Sequence, residues 1–155
     1  MRTEIKVYID IEPLSVNSTY YNNKNHGMNS NAKSWFNSFL YQLKQYSNAF
    51  TEMQEAFKDT QHVYCVEIQV LTPTHKLLTK EGKYTSKKVD LSNLEKSIID
   101  ALFLPKHNAH TPNLNVDDRY LQRLTSELIE TTGKSGLLIR IYQINKPLPV
   151  KIEIA

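Results

Sequence analysis

The sequence predicts a single α+β domain in which a mixed β-sheet of about four to five strands packs against two main helices. Its 155 residues suit one hydrophobic core, so residues 1–155 are treated as one domain. Hydrophobic residues make up 40% and charged residues 23%, which is typical of folded chains. Segments with the period of a strand alternate along the chain with two segments of helical period, as in mixed α and β folds.

The first half of the chain divides into four segments. Residues 4–11 alternate polar and apolar side chains and predict the first strand. Residues 18–31 are rich in Asn, Tyr and Ser and predict a long polar loop. Apolar side chains at helical spacing predict one long amphipathic helix over about 32–57. The β-branched run 63–71 predicts a second strand.

The second half begins with a lysine-rich loop over residues 72–89. Residues 91–103 predict a helix, and the proline at position 105 follows it. The extended runs 119–131 and 137–145 flank a Gly-Lys-Ser-Gly segment and predict a hairpin, and 150–154 can add an edge strand.

Charge is concentrated in the lysine-rich loop. The whole chain has a net charge of +3 and a pI of about 8.9. The loop contains one acid, Glu81, and five lysines: Lys76, Lys80, Lys83, Lys87 and Lys88. This local excess of four positive charges suits a DNA backbone. A solvated loop that keeps the protein soluble explains it equally well.

The cysteine count and hydropathy indicate a cytoplasmic protein. Cys65 is the single cysteine and lies in an apolar run, so it is expected in the core of a protein from a reducing compartment. No apolar stretch is long enough to span a bilayer, and the N-terminus lacks a signal sequence, so no membrane association is expected.

Polar side chains cluster on the predicted helix 91–103. Asn93, Lys96 and Asp100 have the spacing of one helical stripe, and Asp90 lies at the helix start. Asp117 and Asp118 follow about one loop later and can return to the same end of the sheet. Mg²⁺ prefers such carboxylate ligands, and a lysine such as Lys96 can stabilise charge that develops during phosphodiester hydrolysis.

Each of these residues also has a structural explanation. Asp90 is a good helix N-cap, and Ser92-x-x-Glu95 fits a capping box. Lys96 and Asp100 have the spacing of a surface ion pair. The two consecutive aspartates, Asp117 and Asp118, can start a turn.

The combined pattern resembles the signature of the RusA family of Holliday junction resolvases. The motif is Asp-x-x-Asn-x-x-Lys-x-x-x-Asp-Ala-Leu, followed after a short connection by Asp-Asp. Its matching positions are Asp90, Asn93, Lys96, Asp100, Ala101, Leu102, Asp117 and Asp118. The segment Pro-Leu-Ser-Val-Asn at 13–17, followed by two tyrosines at 20–21, is similar to the N-terminal segment of the family.

The resemblance implies a Mg²⁺-dependent endonuclease, with Mn²⁺ as an alternative metal, that makes paired nicks in four-way DNA as a homodimer. It implies a phage or prophage protein acting in DNA recombination and repair in the bacterial cytoplasm. Lys96 would be the catalytic lysine, with Asp90 and Asp118 as catalytic metal ligands and Asp117 beside them. The residues implied to bind DNA are Asn17, Lys83, Lys87 and Lys88, and those implied to support the site are Asn93 and Asp100.

One departure from the family pattern concerns Ser92. The family usually has an aspartate there, and a neutral hydroxyl is a weaker ligand for a hard cation, acting directly or through water. Glu95 and Glu67 are candidate replacement carboxylates. An alternative function is therefore a catalytically weakened relative that binds branched DNA or a protein partner as an accessory module. A third is a nuclease for other branched or flapped DNA.

Overall fold

A computed structural model describes residues 1–13, 30–85, 90–103, 112–145 and 153–154. The predicted polar loop over 18–31 lies almost wholly outside these residues, as do the proline at 105 and most of the possible edge strand at 150–154. Among the described helices, none has the length and apolar character needed to cross a bilayer.

The described strands form one four-stranded mixed sheet. They are β1 (Glu4–Ile9), β2 (Val63–Pro73), β3 (Leu121–Thr131) and β4 (Gly136–Ile144). Their order across the sheet is β1-β4-β2-β3. The strand β4 is antiparallel to both β1 and β2, whereas β3 is parallel to β2. The expected α+β class with a mixed sheet is thus confirmed.

Four α-helices are described, of which three are long. They are α1 (Ser30–Leu43), α2 (Ser47–Thr60), the single turn α3 (Thr74–Leu77) and α4 (Leu91–Phe103). The predicted bounds of the last helix are confirmed. The prediction of one continuous helix over about 32–57 is wrong in one respect: a 3-10 turn at Lys44–Tyr46 divides it into α1 and α2.

The core lies between the long helices and one face of the sheet. Alternate side chains of the strands point into it, as the period-two pattern predicts. Fully buried residues from both layers include Ile9, Phe39, Phe50, Tyr64, Ile98, Leu102 and Phe103. Cys65 is also buried, as expected. The helix α4 is thereby fixed by its apolar side against β2 and β3.

The predicted hairpin between β3 and β4 is wrong. The two strands follow each other along the chain, but β4 pairs with β1 and β2, and β3 pairs in parallel with β2. β4 is buried on alternate positions along its whole length. Apolar side chains such as Ile139 and Ile141 therefore place it in the middle of the sheet rather than at its edge.

The lysine-rich segment has more structure than expected. β2 continues to Pro73, the turn α3 follows, and Leu78 forms a bridge with Tyr84. The tip between these two residues is tightened by Gly82, whose positive φ of 79° suits a residue without a side chain. The residues 86–89 lie outside the described part.

On the other face of the sheet, Arg140 links three strands. Its guanidinium donates to the carboxylate of Glu4 on β1 and, over 3.3 Å, to that of Glu67 on β2. It also lies 4.1 Å from the ring centre of Tyr142. The hydrogen bond from Arg140 lowers the pKa of Glu4, which favours the ionised carboxylate in the folded state.

This pKa shift predicts how the contribution of Arg140 depends on pH. Glu4 has an ordinary pKa of 4.5 and a lower one in the fold, so its stabilisation is complete above 4.5 and is lost as pH falls through the folded value. Replacing Arg140 with methionine should therefore cost more stability near neutral pH than in acid. Urea unfolding of both proteins across this pH range measures the difference.

The control is Arg119→Met, because that guanidinium contacts the ring of Tyr120. The loss of stability caused by Arg119→Met should be the same near neutral pH and in acid. An Arg140→Met penalty that does not shrink in acid would contradict the proposed ion pair with Glu4.

Candidate functional site

The helix α4 runs antiparallel to β3 and so has its two ends at opposite ends of the sheet. Near its start, Glu95 accepts a hydrogen bond from the hydroxyl of Ser126, which is midway along β3. At its last residue, the carbonyl of Phe103 accepts from the backbone N–H of Val116, just before β3 begins. We call the end with Pro73, Thr131 and the start of α4 the basic end of the sheet.

Asp90 begins α4 at the basic end. Its carbonyl accepts from the N–H of Leu94, and its side-chain Oδ1 accepts from the backbone N–H of Ser92 at 3.0 Å. This is the geometry of an N-cap, which satisfies a backbone donor that the helix leaves unpaired. Asp90 is exposed, so its carboxylate also faces solvent.

Ser92 completes the cap rather than starting a capping box of its own. Its hydroxyl donates to Oδ1 of Asp90 over 2.7 Å, while Glu95 is engaged by Ser126. The expected capping box between Ser92 and Glu95 is therefore replaced by a cap at Asp90. Two oxygen-bearing side chains, those of Asp90 and Ser92, meet at the helix start.

The polar stripe on α4 is observed at its expected positions. Asn93 and Asp100 are half-buried, whereas Lys96 is exposed. The Nζ of Lys96 lies 4.0 Å from Oδ2 of Asp100, which is the outer limit for an ion pair. A surface pair of this kind contributes little to stability, and Lys96 lies about one and a half turns along α4 from Asp90.

Asp117 and Asp118 lie at the opposite end of the sheet. The Oδ1 of Asp117 accepts from the backbone N–H of Arg119 at 2.8 Å and so caps the 3-10 turn Asp118–Tyr120. Both aspartates are exposed. The turn that they start leads directly into β3. This agrees with the alternative explanation that the two aspartates start a turn.

Within one chain, Asp90 lies at one end of α4, and Asp117 and Asp118 lie near the other end. Asp90 begins α4 and Asp117 follows its last turn, and a 13-residue helix spans about 20 Å. No group of three or more His, Cys, Asp or Glu side chains that could hold a metal occurs within the described ranges. At the described start of α4, the oxygen ligands on offer to Mg²⁺ are the carboxylate of Asp90 and the hydroxyl of Ser92. Mg²⁺ is commonly bound by one or two protein carboxylates together with water and substrate phosphate.

The two candidate replacement carboxylates are held elsewhere. Glu67 points to the sheet face that carries Arg140, and its carboxylate accepts from that guanidinium. Glu95 lies on α4 but bonds to Ser126 on β3. Neither interaction directs a carboxylate towards Asp90.

Several lysines lie at the basic end, together with acidic side chains such as Glu81 on the same tip and Glu130 beside Thr74. Lys80 and Lys83 are exposed on the tip between Leu78 and Tyr84, and Lys76 forms an ion pair with Glu12 at 2.5 Å. Lys134, which the motif does not include, shares a hollow with His75 and Lys76. The sequence shows Lys134 in a Gly-rich turn, but the topology is needed to place that turn beside the lysine-rich loop.

Three residues implied to bind DNA lie outside the described residues. They are Asn17, Lys87 and Lys88. Of the four residues implied for this role, Lys83 is the one whose position is described.

No family model matches the sequence, and no curated protein matches it.

Proposed function

We propose that the chain is a Mg²⁺-dependent, structure-specific DNA endonuclease that resolves four-way junctions by paired nicks. The observation that carries the proposal is the arrangement at the basic end of the sheet. There, the exposed Asp90 at the start of α4 follows the loop that carries Lys80 and Lys83, and Lys96 lies further along the same helix.

This arrangement combines the two requirements of phosphodiester hydrolysis. Lysines that face solvent attract the DNA backbone and release its counterions. A carboxylate beside them can hold Mg²⁺ together with water and substrate phosphate, and the metal supplies a polarised phosphoryl group and an activated water when bound. The ammonium of Lys96 is suited to stabilising the negative charge that develops on the phosphate.

A second function is favoured by a separate observation. In one chain, Asp90 caps a helix, Ser92 replaces the aspartate usual in the RusA family, and Asp117 and Asp118 are at the far end of α4. This incomplete carboxylate set favours a protein that binds branched DNA as an accessory module without cutting it. The accessory module could equally bind a protein partner instead of branched DNA.

The function is tested by incubating the purified protein with a labelled four-way junction, a flapped duplex and a linear duplex in Mg²⁺, Mn²⁺ or EDTA. We expect metal-dependent paired nicks in the junction alone. Asp90→Asn should remove cleavage in both metals but leave stability within a few tenths of a kcal/mol, because Asn caps a helix about as well as Asp. This variant therefore separates the role of Asp90 as a metal ligand from its role as a helix cap.

The matched control is Asp59→Asn on α2, an exposed carboxylate that lies away from the basic end. It should cleave at the wild-type rate. Full cleavage by Asp90→Asn would rule out Asp90 as a metal ligand. Tight junction binding by the wild type without cleavage in either metal would establish the accessory function, and cleavage of the flapped duplex alone would reassign the substrate.

Salt dependence tests the lysines separately from the chemistry. If Lys80 and Lys83 each neutralise one phosphate, replacing both with alanine should lower junction affinity and reduce the slope of log K against log salt by roughly 1.8. Fluorescence anisotropy with EDTA present measures binding without cleavage.

The control for this experiment replaces Lys44 and Lys58, which are exposed near the ends of α1 and α2. This pair carries the same charge change but lies outside the basic end, so its salt slope should match that of the wild type. Equal slopes for all three proteins would remove the loop tip from the DNA interface.

A further inference from the structure

Two adjoining hollows lie at the basic end of the sheet, beside the turn between β3 and β4. The smaller has a volume of about 350 Å³ and the larger a volume of about 510 Å³. Among the described residues, both hollows are lined by Glu12, His75, Lys76 and Ser135. Because they share these walls, the two hollows form one pocket, which we call the β4-turn pocket.

The hydroxyl of Ser135 is a polar group that the fold leaves unsatisfied in this pocket. Ser135 is only 6% exposed, and within the described part of the chain its Oγ is buried and has no hydrogen-bond partner. A buried hydroxyl without a partner is costly, and native proteins usually satisfy such a group with protein, water or a ligand. Since Ser135 lines both hollows, a molecule bound in the pocket can supply the missing partner.

Hydrogen bonds from outside the pocket hold its walls in place. The indole N–H of Trp35 donates to the carbonyl of Glu12 at 2.7 Å, and the hydroxyl of Thr85 donates to the carbonyl of Lys76 at 2.8 Å. The Nζ of Lys76 also lies 2.5 Å from the carboxylate of Glu12. A ligand therefore meets walls that are already ordered, which reduces the entropic cost of binding.

The charges that line the β4-turn pocket are balanced. Lys76 and Lys134 contribute positive charge, and Asp10 and Glu12 contribute negative charge. Such walls do not favour a bare anion. They suit a ligand that combines an anionic group with separate hydrogen-bond donors and acceptors. Because Lys76 is engaged by Glu12, the exposed Lys134 is the lysine better placed to bind the anionic group.

We propose that the β4-turn pocket binds a nucleoside monophosphate. The ammonium of Lys134 binds the phosphate, and the paired Glu12 and Lys76 present an acceptor beside a donor to the hydrogen-bonding edge of the base. The hydroxyl of Ser135 bonds to the nucleotide between these contacts. Volumes of about 350 and 510 Å³ are within the range of small-molecule sites. A free nucleotide and the 5′-terminal nucleotide of a DNA strand offer the same chemistry.

Calorimetric titration of the full chain in EDTA tests the site, with the deoxynucleoside 5′-monophosphates as probes. We expect at least one of them to bind, and deoxyribose 5-phosphate and inorganic phosphate to bind roughly tenfold more weakly because they lack the base. Ser135→Ala and Lys134→Met should each weaken nucleotide binding by roughly tenfold, because each removes one hydrogen bond to the ligand. Ser135→Ala should not lower the Tm of the free protein, since the hydroxyl that it removes has no partner among the described residues.

The control variants are Ser38→Ala and Lys58→Met, which make the same changes at exposed positions of α1 and α2 and should bind like the wild type. Absence of binding by every nucleotide at millimolar concentration would overturn the site. So would unchanged affinity in Lys134→Met, whose exposed position separates binding from folding. Deoxyribose 5-phosphate that binds as tightly as the nucleotides would overturn the contact with a base.

A short 5′-phosphorylated oligonucleotide distinguishes the two sources of the ligand. Displacement of the bound nucleotide by this oligonucleotide, but not by its unphosphorylated counterpart, identifies a strand end as the ligand. No displacement by either identifies a free nucleotide. The pocket uses none of the residues at the start of α4, so a chain that cuts junctions without binding nucleotide would overturn this inference alone. Nucleotide binding without cleavage would overturn the proposed endonuclease alone.

Discussion

The parallel pairing of β2 with β3 is the constraint on which the rest of the domain depends. Two parallel strands cannot be joined by a tight turn, so the chain must travel back along the sheet before β3 begins. The helix α4 makes this return, and its buried side chains, such as Leu94 and Ile98, fix it against the sheet. The start of the helix and the start of β3 are thereby held at opposite ends of the domain.

This constraint determines at which end of the sheet each candidate site residue lies. The lysine-bearing tip follows β2 and the helix cap at Asp90 precedes the return, so both belong to the basic end, which Lys134 joins from the turn before β4. Within the described part of the chain, β3 pairs with β2 alone and is an edge strand. The same topology separates Asp90 from Asp118 by the length of α4.

Local features of the fold were predictable from the sequence, and long-range ones were not. The bounds of α4 follow from its apolar spacing, and the helix cap at Asp90 follows from residue type, because both depend on neighbours within one turn. The division between α1 and α2 coincides with the reach of Tyr46 and Gln42 to β1, a contact between segments more than 30 residues apart. The hairpin prediction failed for the same reason: two strands beside a Gly-rich turn do not reveal that β4 has better apolar partners in β1 and β2. The position of Asp117 relative to Asp90 depended on that topology.

The central claim is that the start of α4 is the metal site of a nuclease, with the exposed carboxylate of Asp90 as a ligand. Binding of Mn²⁺ in place of Mg²⁺ would be measured for the wild type and for Asp90→Asn with four-way DNA present, after subtraction of the Mn²⁺ that the DNA binds alone. The account predicts markedly weaker binding by the variant, because the substitution removes a charged oxygen ligand at nearly constant shape. Equal Mn²⁺ binding by the two proteins would contradict it.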